Sequence, residues 1–183
     1  MTGSRSQAGM TLVEIMVVVS ILSILAAVAI PTFRGQMPRI RLGTATESLS
    51  NEVAMLRMSA ISRSSWYQAT FNLGAESYSF VMPNPSPPPA EVTFSSKTIG
   101  AVDIESVKYL SDLSDVPTAS VRFNSNGTTN VPLSRRAVLV TLSTPAGNTP
   151  VLKKRVVIET TGRIYAQKWN GGPVAAATSW IEE

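Results

Sequence analysis

An unbroken apolar segment close to the N-terminus constrains this chain more than any other feature. Between Met10 and Ile30, Glu14 is the only charged residue. As a helix the segment would extend about 30 Å, the thickness of the hydrocarbon core of a bilayer. It therefore predicts a membrane-spanning helix with one of three roles: a plain anchor, a secretory signal cleaved after the small residues at 27–29, or a retained segment that follows a cleaved leader.

Glu14 distinguishes these three roles. A carboxylate within an apolar helix costs on the order of a few kcal/mol near the centre of a bilayer and less near its edge, and neither an anchor nor a cleaved signal gains from it. If the chain is cut after Gly9, the new α-amino group of Met10 can neutralise the Glu14 carboxylate of a neighbouring subunit. The helix dipole favours the carboxylate at this end. Glu14 therefore favours the cleaved leader and predicts a charge that is satisfied when subunits assemble.

The hexapeptide at residues 9–14, Gly-Met-Thr-Leu-Val-Glu, resembles the cleavage and methylation signature of type IV prepilins and type II secretion pseudopilins. Members of that family usually have phenylalanine where this chain has Met10. The resemblance implies cleavage after Gly9 by a prepilin peptidase, N-methylation of Met10 and single-pass insertion in the bacterial inner membrane, with the head in the periplasm. It implies other pilin or pseudopilin subunits and the inner-membrane assembly platform as partners, and it identifies Pro31 as the point where the helix flexes.

Beyond residue 38 the hydrophobic period becomes that of an amphipathic helix. The apolar residues recur at spacings of three and four: Leu42, Ala45, Leu49, Val53, Leu56 and Ala60. This stripe predicts a helix face that packs under a globular head and a helix that ends near residues 62–65. The predicted organisation is a leader at 1–9, a transmembrane helix at 10–33, an amphipathic helix at 34–64 and a β-rich head at 65–183.

Short runs of β-branched and aromatic residues separated by turn residues follow in the head. They predict strands at 66–71, 78–82, 92–94, 107–110, 121–123, 137–142, 155–160 and 164–169. Gly127 and Gly162 are expected to supply positive φ at two tight turns. The fold class is therefore α+β, with a long N-terminal helix packed on a mostly antiparallel sheet. The segment from 83 to 117, which begins with a proline-rich loop, has no predicted role.

The hairpin segments at residues 123–128 and 155–164 resemble the signatures of the GspH/FimT class of minor subunits. That resemblance implies a low-abundance subunit that primes or caps a filament, in either a type IV pilus or a type II secretion pseudopilus. A secreted or signal-anchored protein outside any filament is the alternative. The chain has no cysteine and no histidine, so it lacks thiolate chemistry, the usual general base at neutral pH and the commonest metal ligand. We therefore predict no catalytic residue, no metal site and no cofactor.

Basic residues in the C-terminal part of the chain suggest a second function for the same anchored protein. A cluster of this kind binds DNA phosphates, and some FimT-like minor pilins are DNA receptors. The candidate contacts are Arg135, Arg136, Lys153, Lys154, Arg155, Arg163 and Lys168. The competing explanation is that these charges flank strands and keep the sheet edges soluble.

Overall fold

The computed structural model describes residues 10–86, 90–100, 102–111, 113, 115–145, 151–172 and 179–183, apart from the side chains of residues 30–35. The chain divides into two compact units, Met1–Pro38 and Arg39–Glu183. One helix, α1, runs from Leu12 to Ser62 and contributes to both units. The predicted boundary between residues 33 and 34 is therefore not a break in the helix.

The end of α1 is set by a local hydrogen-bond pattern. Ser64 adopts a left-handed conformation with φ of 48°. The Ser64 N–H donates to the Ile61 carbonyl at 3.2 Å, and the Ser65 N–H donates to the Ala60 carbonyl at 3.1 Å. This is the pairing of a Schellman motif, which satisfies carbonyl groups that the last helical turn leaves without partners. The prediction that the helix ends near residues 62–65 is confirmed.

Nine strands follow α1 in the described part of the chain. They are β1 (Tyr67–Asn72), β2 (Ser77–Pro83), β3 (Glu91–Thr98), β4 (Asp103–Tyr109), β5 (Thr118–Phe123), β6 (Ala137–Ser143), β7 (Lys153–Glu159), β8 (Ile164–Trp169) and β9 (Trp180–Glu182). All eight predicted strands are present, with β3, β4 and β5 longer than expected. The three residues of β9 are too short a run to show a period of two, and the sequence-based prediction missed them.

The strands form two antiparallel sheets, and the predicted antiparallel β-sheet head is confirmed. Sheet A has the order β3-β2-β1-β5, and sheet B has the order β4-β6-β7-β8-β9. The chain leaves sheet A after β3, forms the edge strand β4 of sheet B, and returns to sheet A with β5. The segment from 83 to 117 thus supplies one edge strand to each sheet. Residues 87–89 of its proline-rich loop lie outside the described residues.

The second half of α1 and both sheets share one hydrophobic core. The helix contributes the predicted stripe, of which all but Ala45 is buried. The largest buried side chains opposite it include Phe71 and Phe123 of sheet A and Leu142 and Ile158 of sheet B. Burying a side chain of this size stabilises the fold by about 1.5–3 kcal/mol. The amphipathic period of α1 therefore determines where the sheets pack.

Strand β6 is buried on both of its faces. One face contributes Val138, Val140 and Leu142 to the main core. The opposite face forms a small cluster in which Ala137 and Leu139 pack with Val157 of β7. Leu113, which precedes β5, packs against this cluster. The outer side of sheet B is thus partly enclosed at this point.

Candidate functional site

The first part of α1 is the most exposed apolar surface among the described residues. Leu12–Ala29 has a mean hydropathy of 2.7, and none of the segment is buried. Its large side chains are between 42 and 77% exposed. The segment is long and apolar enough to cross a membrane. An apolar surface of this extent requires lipid or another protein to cover it.

The two serines within this segment form their hydrogen bonds with the backbone of the helix itself. The Ser20 hydroxyl donates to the Met16 carbonyl at 2.7 Å, and the Ser23 hydroxyl donates to the Val19 carbonyl at 2.8 Å. Because each donor finds an acceptor one turn earlier, neither serine needs water. These serines therefore leave the apolar character of the segment intact.

Glu14 lies in the first turn of α1, where Thr11 is the N-cap. The Glu14 N–H donates to the Thr11 carbonyl at 3.1 Å, and its distance to Thr11 Oγ1 is 3.3 Å. Thr-x-x-Glu is the spacing of a capping box, and a carboxylate at this end also interacts favourably with the helix dipole. The capping box and the helix dipole thus explain in part why a glutamate occurs at position 14. Within the described residues the Glu14 carboxylate has no ion pair.

Two of the predicted processing and flexing positions have no described side chain. Gly9 lies outside the described residues, and Met10 is the first residue that the structure describes. Pro31 lies within α1 as part of the continuous helix, but its side chain is outside the description. Cleavage after Gly9, methylation of Met10 and flexing at Pro31 remain predictions.

The seven basic residues do not form one patch. Arg136 is linked to the C-terminal end of β7, since its carbonyl accepts a hydrogen bond from the Thr160 N–H at 2.9 Å. Lys153 is the first residue of β7, and Lys154 lies opposite Lys168 of the neighbouring strand β8. The two groups therefore lie at opposite ends of a seven-residue strand, about 20 Å apart. A continuous cationic surface, as predicted for DNA, is absent from this part of the described structure.

Carboxylates that the sequence-based interpretation overlooked neutralise three of these cations. Lys153 pairs with Glu105, Lys154 with Glu183, and Arg163 with Glu182. The guanidinium of Arg135 lies 4.1 Å from the centre of the Tyr109 ring. Glu182 is the last residue of β9 and Glu183 follows it, so only the pairing of β9 with β8 brings them to their partners. The competing explanation, in which the charges flank strands, describes these residues better.

Arg155 cannot contact DNA, because its residue surface is only 8% exposed. Its Nε–H donates to Gln167 Oε1 at 2.7 Å, and its guanidinium carbon lies 4.2 Å from the centre of the Trp180 ring. The DNA contact predicted for Arg155 is therefore wrong. Its position in β7 points it into the enclosed outer side of sheet B.

The turns that contain Gly127 and Gly162 lie against each other and beside Arg57 of α1. Gly127 and Gly162 have φ of 79° and 84°, so the predicted positive φ is confirmed. A Cβ atom on Gly162 would lie 2.0 Å from the Gly127 carbonyl oxygen. That same oxygen accepts a hydrogen bond from Arg57 Nε at 2.8 Å. Arg57 therefore anchors the helix to both turns, a role that no local sequence pattern indicates.

The first segment of the chain matches a known family model. Residues 4–30 match the prokaryotic N-terminal methylation motif. The fold resembles that of the minor pseudopilin EpsH from the type 2 secretion system of Vibrio cholerae, with a TM-score of 0.50 and 13% identity over 69% of this chain and 95% of that chain. The chain thus carries this methylation motif on a fold similar to that of EpsH. The motif and the fold agree with the resemblance that the N-terminal hexapeptide indicated.

A second solved structure is also similar to this chain. It is the type IV minor pilin FimU of Pseudomonas aeruginosa, with a TM-score of 0.46 and 17% identity over 69% of this chain and 87% of that chain. No curated protein sequence matches the chain. In the described residues, no group of three or more histidine, cysteine, aspartate or glutamate residues is placed to hold a metal ion.

Proposed function

We propose that this pilin-like chain is a minor structural subunit of a filament that is assembled from the bacterial inner membrane. The observation that carries this proposal is the coincidence of the methylation motif at residues 4–30 with an apolar helix that the chain itself leaves uncovered. This apolar helix is the first part of α1, and the second part of α1 packs in the core of the head. Lipid covers the apolar surface before assembly and the helices of other subunits cover it afterwards. The head lies in the periplasm and selects the neighbours, and it has no catalytic role.

Processing by a prepilin peptidase is compatible with the way the helix begins. A cut after Gly9 leaves Met10 as the new N-terminal residue, one position before the Thr11 cap. The hydrogen bonds from Glu14 N–H to Thr11 involve no atom of the leader. Removing the leader therefore leaves the cap of α1 unchanged. Methylation of the Met10 amine then completes the mature terminus.

Glu14 joins one subunit to the next through its charge. Its carboxylate has no ion pair within the described residues, and an unpaired charge in an apolar environment is costly. We propose that the α-amino group of Met10 on a neighbouring subunit provides the missing partner. Pro31 lacks the N–H that would continue the helix ladder, so we propose that α1 flexes there when subunits stack.

The mass and N-terminal residue of the mature protein test this processing. We expect a chain that begins at N-methylated Met10 and remains with the membrane fraction. A mature chain that begins at Ile30 would instead indicate a secreted protein, and a chain that retains Met1 would indicate a plain anchor. Either of those results would contradict the filament proposal.

Two filament systems fit the proposal, the type IV pilus and the type II secretion pseudopilus. A deletion strain distinguishes them. Loss of twitching with normal exoprotein secretion would assign the chain to a pilus, and the reverse would assign it to a secretion system. Complementation with the wild-type gene and with Glu14→Ala provides the control, because the variant retains the head and its fold. If neither phenotype changed in the deletion strain, the proposed priming or capping role would be wrong.

A further inference from the structure

A row of polar residues crosses the enclosed face of sheet B. Ser106 of β4 pairs in register with Thr141 of β6, which pairs with Arg155 of β7, which pairs with Gln167 of β8. Residues that are directly opposite on adjacent strands point to the same side of a sheet. Their side chains thus lie next to one another on a face that is otherwise lined by apolar residues such as Leu139.

The first three members of this row are almost fully buried. Ser106, Thr141 and Arg155 are 6%, 4% and 8% exposed. The Arg155 guanidinium has a single hydrogen bond to a side chain, from Nε to Gln167, and within the described residues no carboxylate lies at ion-pair distance from it. A buried guanidinium without a counter-ion among the described residues is costly to the fold.

Arg122 of sheet A provides an internal comparison. Its Nε–H donates to Gln68 Oε1 at 3.2 Å, and its guanidinium carbon lies 4.1 Å from the centre of the Trp66 ring. Arg155 has the same two kinds of neighbour, a glutamine on Nε and a tryptophan ring under the guanidinium. The Arg122 guanidinium also binds Glu91, from Nη2 at 3.2 Å. Arg155 has no such carboxylate among the described residues, although it is the more buried of the two.

A small cavity adjoins Arg155. Its volume is about 50 Å³, and its lining includes Ser106, Thr141, Lys108, Arg155 and Trp180. That volume holds about three or four non-hydrogen atoms. Lys108 adds a second positive charge, which Asp115 offsets in part at 3.4 Å. The cavity therefore combines a net positive charge with hydroxyl groups in a small space.

We propose that this cavity binds a single carboxylate group of the size of formate or acetate, held by Arg155 and by the hydroxyl groups of Ser106 and Thr141. The planar guanidinium matches the geometry of a carboxylate and donates to both of its oxygen atoms. The two hydroxyls donate to the remaining lone pairs. Burial lowers the pKa of Arg155 to about 10, with Tyr165 opposing the shift, as expected for a cation that lacks its counter-ion.

The small volume of the cavity and the burial of Arg155 exclude larger ligands. A cavity of about 50 Å³ has no room for a nucleotide or a sugar, and Arg155 is too buried to reach a nucleic-acid backbone. A carboxylate reaches the cavity either as a free small acid or as the side chain of an aspartate or glutamate from another protein. Both sources present the same group to Arg155.

Thermal unfolding of the full-length protein in a non-ionic detergent tests the proposal. All three tryptophans, Trp66, Trp169 and Trp180, belong to the unit that contains the cavity, so tryptophan fluorescence reports its unfolding. Sodium acetate or formate is titrated at constant ionic strength against sodium MOPS, whose bulky sulfonate does not fit the cavity. We expect a saturable rise in Tm of about 3–6 °C at a tenfold excess over the dissociation constant. A Tm that is the same in acetate and in MOPS would overturn the proposal.

Three variants test whether the acetate-dependent rise in Tm comes from binding in this cavity. Arg155→Met should abolish the acetate-dependent rise in Tm, whereas Arg122→Met, which removes an arginine with its own carboxylate partner, should leave it intact. Thr141→Val keeps the shape of the side chain but removes one donor, so we expect a dissociation constant about 5–10-fold higher. If Arg155→Met does not fold, Thr141→Val decides. An unchanged acetate affinity in that variant would refute the site.

The source of the carboxylate is distinguished by a larger probe. If the natural ligand is the side chain of a partner protein, a blocked glutamate, N-acetyl-glutamate amide, should raise Tm as acetate does and compete with it. If the ligand is a free small acid, acetate and formate should act alone. A response to sodium chloride equal to that to acetate would show a site for any small anion and would contradict the assignment of a carboxylate.

Discussion

Replacing Gly162 by alanine tests the contact between the two turns and α1. Gly162 has φ of +84°, which alanine adopts with difficulty. The added Cβ atom would also lie 2.0 Å from the Gly127 carbonyl oxygen and 2.8 Å from Arg57 Nε. The first of these atoms belongs to the backbone of a turn that is itself held at positive φ. The clash therefore cannot be relieved by rotating a side chain.

The destabilisation is the sum of three effects. A left-handed conformation costs an alanine about 1–2 kcal/mol. Moving the Gly127 backbone away from the new methyl group costs about 1–3 kcal/mol, as in other overpacked sites. Displacing that carbonyl also weakens its hydrogen bond from Arg57 at 2.8 Å, which is worth about 1 kcal/mol. We expect Gly162→Ala to lower the free energy of unfolding by about 4 kcal/mol.

Gly171→Ala is the matched control. Gly171 has φ of +93°, but nothing lies within 4 Å of the position of its Cβ atom. Its replacement therefore incurs only the conformational cost of about 1–2 kcal/mol. Urea unfolding in detergent, followed by tryptophan fluorescence, measures both variants. Equal destabilisation by the two replacements would refute the proposed contact between the turns, since the strain at positive φ would then explain the whole effect.

Three further predictions concern other parts of the chain. Gly43→Ala, in the interior of α1 with nothing within 4 Å of its Cβ position, should raise the free energy of unfolding by about 0.8–1 kcal/mol, because alanine is the better helix former; a loss of stability in the same urea experiment would contradict this. Burial, together with the charge and hydrogen bond of Glu52, raises the pKa of Tyr78 above its usual range. Above about pH 10 the unfolded chain then loses a proton that the folded chain keeps, so the free energy of unfolding should fall by up to about 1.4 kcal/mol per pH unit, and Tyr78→Phe should reduce that slope. An unchanged slope would show that Tyr78 ionises in the folded state. Glu14→Ala should leave the protein in the membrane fraction but reduce its recovery in sheared filaments at least several-fold, and recovery equal to wild type would refute the pairing of Glu14 with a neighbouring Met10.

Local features of this protein could be predicted from the sequence because neighbouring residues determine them. The apolar segment and the stripe that includes Leu42 and Val53 indicated a helix, and both lie in α1. Positive φ at Gly127 and Gly162 followed from their turn contexts. The strands were located within a few residues, except for short β9. In each case the evidence was a periodicity or a turn preference that acts over a few residues.

Contacts between distant segments were decided only by the tertiary structure. Strand order separated the β-strands into two sheets. The length of β7 kept the basic residues in two groups, and β9 brought Glu182 and Glu183 to Arg163 and Lys154. Register alone placed Arg155 beside two buried hydroxyls on a covered face. The character of the N-terminal segment could therefore be predicted from its own residues, because a membrane helix forms all of its backbone hydrogen bonds within itself. The surfaces of the head depend on which strands pair, and that pairing is a property of the whole fold.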